Sequence, residues 1–236
     1  MVSPLQRQRD AILARNAGGA PQPASVNTDS LHLHLAEFEQ DKSALKSFAQ
    51  IAEKVNYKRD VLIPKYRPLA EQYIESGECY QNPVFTDMVI WLFDTDELDT
   101  AISWCLTAIE RGLPSPERFN RNWPTICADF VLEWSENQFD NGQSVEPYFS
   151  QIFERIDDAW NVPEKLAAKW YKLAGYMLIA NDDGEPQPSH IGNLEQLQRA
   201  ESLLLKAHEK HNKIGVKTQI DRIRMRMNAL TDGTNL

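Results

Sequence analysis

An all-α fold follows from three observations. Apolar residues recur at helical spacing along most of the 236-residue chain, and alternating strand patterns are almost absent. The one Asn-Gly pair, Asn141-Gly142, sits between helical patterns and not between β-like runs. Helix punctuation is clear: Pro83 opens a helix, and Gly112 followed by Pro114 and Pro116 closes another. About nine helices are expected on this pattern.

The first element is predicted at Ser3-Pro4-Leu5-Gln6, where Ser3 caps, Pro4 fits the first helical position and Gln6 completes a capping box. This short helix carries Arg7, Arg9 and Arg15 and stops at Gly18-Gly19. Ala20 to Ser30, with Pro21 and Pro23, reads as a flexible tether. Leu31, Leu35, Phe38, Leu45, Ala49 and Ala52 then follow a near 3.5-residue repeat interrupted by Lys42. That spacing predicts one helix with a coiled-coil-like seam, suited to self-association. Pro64 and Pro68 are expected to break or start helices. Pro83 begins the next helix, which ends near Phe93. VIWLF within it reads as helix, because the flanking periodicity is helical.

Two segments read as helical hairpins similar to tetratricopeptide repeats. Ala101 and Ala108 flank Cys105, and Ala200 and Ala207 flank Leu204. Small residues seven apart let one helix sit close to its partner. An aromatic-rich helix precedes each, Phe85 to Phe93 and Trp170 to Tyr176 with Gly175. The expected organisation is residues 1–30 as basic helix and tether, 31–80 as helical oligomerisation segment, and 81–236 as a hairpin domain ending in a basic helix.

Net charge is −9, which excludes a protein basic throughout. From Lys206 to Arg226, seven Lys/Arg face only Glu209 and Asp221, so this segment is +5 and the remainder −14. The stripe comprises Lys210, Lys213, Lys217, Arg222, Arg224 and Arg226 after Lys206. It is the nucleic-acid candidate, against the alternative of a solvated face or a patch for an acidic neighbour. Lys210, Lys213 and Lys217, continued by Arg224, are expected on one helix face.

Asp94, Asp96, Glu97 and Asp99 are the tightest carboxylate cluster. Asp94, Asp96 and Asp99 are the candidates for a divalent-metal site in phosphodiester cleavage. The alternative is that Asp94 and Thr95 cap the following helix. His208 and His211 could share a helix face as ligands, but no third ligand is identifiable; His32 and His34 read as surface or packing residues. The six tryptophans, Tyr171, Tyr176 and Phe153 read as core in preference to base-stacking platforms. No cofactor is expected: there is no GxxxxGK[ST] loop, no GxSxG and no cysteine–histidine pattern of known spacing. Cys79, Cys105 and Cys127 form no CxxC pair, so neither zinc nor a disulfide framework is suggested. No apolar run spans a membrane and the N-terminus lacks a signal-peptide h-region, which points to a reducing cytoplasm.

The stretch from Trp91 to Pro124 resembles the small terminase subunits of temperate contractile-tailed phages. The matching residues are Trp91, Asp94, Thr95, Ala101, Ala108, Gly112, Leu113, Pro116, Arg121 and Pro124. Weaker landmarks are Ser3-Pro4 with Gln6-Arg7, Leu173 with Gly175, Gln198-Arg199-Ala200 and Gly215-Val216-Lys217. Asp96-Glu97 departs from the family's Gly-Asp, and the Lys/Arg-rich tail of some members is missing. The resemblance implies a subunit that recognises double-stranded viral DNA in the host cytoplasm. It also implies assembly as a homo-oligomer, commonly a ring, that hands DNA to a large subunit with ATPase and nuclease activity. On that reading the chain is non-catalytic itself. Two other readings stand beside it: a helical scaffold with no DNA role, and a metal-dependent nuclease using the Asp94 cluster.

Overall fold

A computed structural model describes residues 28–181 and 183–234, with side chains from residue 34 onward. Among the described residues the fold is all-α, as expected. There is no strand, only an isolated bridge between Ala180 and Pro186. The expected arm with Arg7, Arg9 and Arg15 lies outside the described residues, as does most of the tether.

The helices are α1 (Thr28–Ala44), α2 (Ile51–Tyr57), α3 (Ile63–Glu75), α4 (Pro83–Asp94), α5 (Leu98–Glu110), α6 (Trp123–Asp140), α7 (Tyr148–Asp158), α8 (Glu164–Met177), α9 (Leu194–Lys210) and α10 (Lys217–Thr231). The chain falls into two compact units, Met1–Lys54 and Val55–Leu236.

The single seam helix from Leu31 to Ala52 is not what forms. α1 ends at Ala44, a 3₁₀ turn covers Leu45–Ser47, and α2 restarts at Ile51. The Glu53 carboxylate accepts from the Gln50 amide at 3.3 Å, half of a capping box that marks a new helix start. Phe38 is buried with Lys42 over its ring, whereas Ala49 and Ala52 are exposed.

Pro64 lies at the start of α3, in line with expectation, whereas Pro68 sits inside that helix without breaking it. α2 runs through a π-helical turn, Lys58–Leu62, directly into α3, and neither Pro64 nor Pro68 interrupts the helical path. Pro64 lies in the first turn of α3, where its missing N–H costs least. The π turn before it relaxes the ladder that proline would otherwise break.

α4 and α5 form the first hairpin. Asn82 caps α4 by accepting from the Phe85 amide at 3.1 Å, with Pro83 at the first position. Nearly all of α4 is buried, including the VIWLF segment, which is helical as expected. Ala101, Cys105 and Ala108 are fully buried, and the Phe85 ring lies 5.7 Å from that of Trp104. At the far end of α5 the Leu113 amide donates to the Ala108 carbonyl and the Gly112 amide to Ile109. That is a Schellman stop, which requires the left-handed backbone of Gly112 (φ 63°).

α8 and α9 form the second hairpin despite the long connection between them. Leu197, Ala200, Leu204 and Ala207 are fully buried. Leu197, Ala200 and Leu204 join Ile179, Val216, Ile220 and Ile223 in a cluster that also seats α10. Gly175 of α8 lies directly beneath Leu204.

Candidate nucleic-acid interface and the carboxylate turn

Burial of Leu204 and Ala207 on α9, and of Ile220 and Ile223 on α10, turns the intervening cations outward. Lys210, Lys213, Lys217, Arg222 and Arg224 are exposed, and Arg226 is half-buried. They do not share one helix face. Lys210 is the last residue of α9, Lys213 lies in the turn, and Lys217 opens α10. The bend falls here because His211 is extended (φ −152°, ψ 100°) and Gly215 takes a left-handed conformation (φ 82°).

Three cations of the stripe, Arg224, Arg226 and Lys206, are engaged internally. Arg224 Nε donates to Glu201 Oε1 at 2.5 Å, and Arg226 Nε donates to the Ile191 carbonyl at 2.9 Å. Lys206 Nζ lies 3.4 Å from Asp157 Oδ1, and both Lys206 and Lys210 sit over the Tyr171 ring, at 5.3 and 5.6 Å. The Tyr171 hydroxyl donates to Asp157. That bond, helped by Lys206, holds the Asp157 carboxyl below its usual range. Burial and the carboxylate push the Tyr171 phenol well up. Among the described residues, Lys213, Lys217 and Arg222 form no ion pair, so their charge faces solvent. A second set of cations, Lys165, Lys169 and Lys172 on α8, goes unmarked in the sequence reading. Its signal is the i, i+4, i+7 spacing.

The four carboxylates at the α4–α5 turn are dispersed. Asp94 Oδ2 accepts from Lys58 Nζ at 2.7 Å, and Glu97 pairs with Arg67 at 2.5 Å. Asp99 lies in the first turn of α5; burial first and the Asp99 carboxylate second raise the Tyr148 pKa. Asp96 occupies a left-handed conformation (φ 62°), a region that glycine adopts most readily. Among the described residues, no three His, Cys, Asp or Glu side chains converge on a point that could hold a metal ion. The metal-site expectation for Asp94, Asp96 and Asp99 therefore finds no geometry to support it. The capping alternative is also corrected. Thr95 Oγ1 donates back to the Trp91 carbonyl at 2.9 Å, and the residue before α5 is Glu97, which makes no side-chain cap. Sequence distance conceals the true partners, because Lys58 and Arg67 come from the preceding helical path.

The remaining motif residues are architectural. Trp91 is buried beside Tyr66, the rings 6.4 Å apart. Arg111, next to the motif's Gly112 and not itself a motif residue, donates to the carbonyls of Tyr73, Ile74 and Glu78 at 3.1, 2.7 and 2.9 Å and closes the C-terminal end of α3. Arg121 pairs with Asp129, and Pro124 follows the Asn122 cap of α6. Of the aromatics considered for stacking, Trp170 is fully buried, its Nε1 donating to the Ala128 carbonyl at 3.2 Å; Phe153 and Tyr176 are half-buried.

The amino-acid sequence has relatives. The profile of the phage small terminase subunit family matches residues 35–165. A protein of Haemophilus phage HP1 described as a terminase, endonuclease subunit is 35% identical over 230 residues, covering 96% of this chain and 82% of that protein. The terminase, endonuclease subunit of Escherichia phage P2 is 25% identical over 226 residues, covering 94% and 85% respectively. No solved structure matches the chain. The chain belongs to the phage small terminase subunit family. Membership supports a role in phage genome packaging, and no helix among the described residues is long and apolar enough to cross a membrane.

Proposed function

We propose that the protein is a non-catalytic small terminase subunit that binds double-stranded viral DNA and regulates the large-subunit motor and nuclease in the host cytoplasm. The observation that carries this reading is the exposed bend at Lys210, Lys213, Lys217 and Arg222. It concentrates positive charge on a chain of net charge −9, and three of its four cations are free of acidic partners. A duplex repelled by the acidic remainder is confined to such a surface. The printed names of the relatives describe an endonuclease subunit; cleavage is assigned here to the holoenzyme, because the candidate carboxylates are dispersed.

The test is binding to packaging-site DNA across a salt series. Affinity should fall steeply with salt, and neutral Lys213 plus Lys217 plus Arg222 should lower the slope by up to about three, roughly 0.9 per phosphate. Arg224 is a weaker choice than the charge count suggests, since Glu201 already holds it. Binding lost on deleting residues 1–19, with no effect of the triple change, would make Arg7, Arg9 and Arg15 the contacts. No binding at low salt, with or without the large subunit, would favour a scaffold without a DNA role. Self-association into a homo-oligomer, commonly a ring in this family, is part of the same reading. Light scattering showing a 27.0 kDa monomer at micromolar concentration would remove it.

A further inference from the structure

We propose that Lys165, Lys169 and Lys172 on α8 form a second track for the DNA phosphate backbone, alongside the α9–α10 bend. This rests on the DNA-binding reading above. Lys165 and Lys169 are exposed and Lys172 is half-buried, with its ammonium 5.3 Å from the Tyr176 ring centre. Among the described residues none of the three forms an ion pair, in contrast to Lys206 and Arg224. The ridge is rigidly held, because Leu166, Ala167, Trp170 and Leu173 on the opposite side of α8 are buried.

Seven residues of helix advance about 10 Å. Phosphates of one strand advance roughly 3.4 Å each along the duplex axis. The three lysines therefore span about three axial phosphate steps, so each can meet a different phosphate. Tyr171 of α8 carries Lys206 and Lys210 of α9 over its ring, so both helices of the packed hairpin bear cations. On the other side, Lys169 shares a groove of about 480 Å³ with Glu133 and Glu136 of α6. Those carboxylates form no ion pair among the described residues and repel phosphate. The duplex is thus directed across α8 and α9 and away from α6.

The experiment uses the full chain and a duplex carrying the viral packaging site, with a random duplex of equal length, over a salt series. Lys165→Gln with Lys169→Gln and Lys172→Gln should weaken binding to both duplexes alike. It should also reduce the salt slope by about two to three if each lysine meets a phosphate. Glu133→Gln with Glu136→Gln should tighten binding. Circular dichroism checks that both variants keep the wild-type fold. If wild type binds and the lysine variant keeps the full slope, the α8 track is wrong while the DNA-binding reading stands. If wild type binds neither duplex, alone or with the large subunit, both fall.

Discussion

Gly175 and Leu204 stand so close that a β-carbon added to Gly175 would lie 2.6 Å from Leu204 Cδ2 and 2.8 Å from its Cγ. The Ala200 carbonyl oxygen would be 3.3 Å away. The α8–α9 hairpin thus depends on a missing methyl group.

Gly175→Ala should therefore destabilise the fold although it improves helix propensity. Overpacking costs about 1–3 kcal/mol, and the propensity gain returns at most about 1 kcal/mol. Urea denaturation measures the balance. An unchanged or raised midpoint would mean that the helices do not cross this tightly in solution.

Arg111→Lys should cost about 2 kcal/mol, as hydrogen bonds from a charged donor are worth about 1.5–3 kcal/mol together with the carbonyls they satisfy. Lysine can reach one of the three carbonyls but cannot match the planar fork that spans Tyr73, Ile74 and Glu78. Thermal melts of the two proteins would check this; equal midpoints would mean that water satisfies the end of α3.

The acidic turn separates into two effects. Asp94→Asn should cost about 1–2 kcal/mol, because Lys58 loses a partly buried partner. Asp96→Asn should lie within about 0.5 kcal/mol of wild type, as asparagine tolerates the left-handed region. Purified wild type should show no metal-dependent DNA cutting. Robust cutting that Asp94→Asn with Asp96→Asn abolishes would restore the nuclease reading.

Stability should depend on the Asp157–Tyr171 pair at both ends of the pH scale. The depressed Asp157 carboxyl contributes stability above the ordinary carboxylate pKa of about 3.9, lost as pH falls through the lower folded value. The raised Tyr171 phenol contributes fully below the ordinary tyrosine pKa of about 10. Above it the unfolded chain ionises first, so stability falls as pH rises toward the folded value. Tyr171→Phe should flatten both limbs in pH-dependent urea titrations. Parallel curves for the two proteins would show that the pair does not form.

From Pro83 onward the hairpin helices, their stop at Gly112 and their inward residues are legible in the chain because they follow from local rules, whereas the single seam helix over residues 31–52 is not what forms. Periodicity marks Ala101, Cys105 and Ala108 and again Ala200, Leu204 and Ala207, and glycine's freedom at positive φ marks the stop at Gly112. The charge asymmetry of Lys206 to Arg226 is legible for the same reason, since composition requires no fold. What each charge meets is decided by tertiary structure. Asp94 is matched by Lys58 and Glu97 by Arg67, partners about 30 or more residues away that no spacing rule connects. Arg224 and Lys206 are drawn into pairs with Glu201 and Asp157, while Lys213 and Lys217 stay free because a turn at Gly215 projects them from the hairpin. Helical periodicity extends over a few residues, whereas ion pairing depends on distances that exist only once the helices have packed.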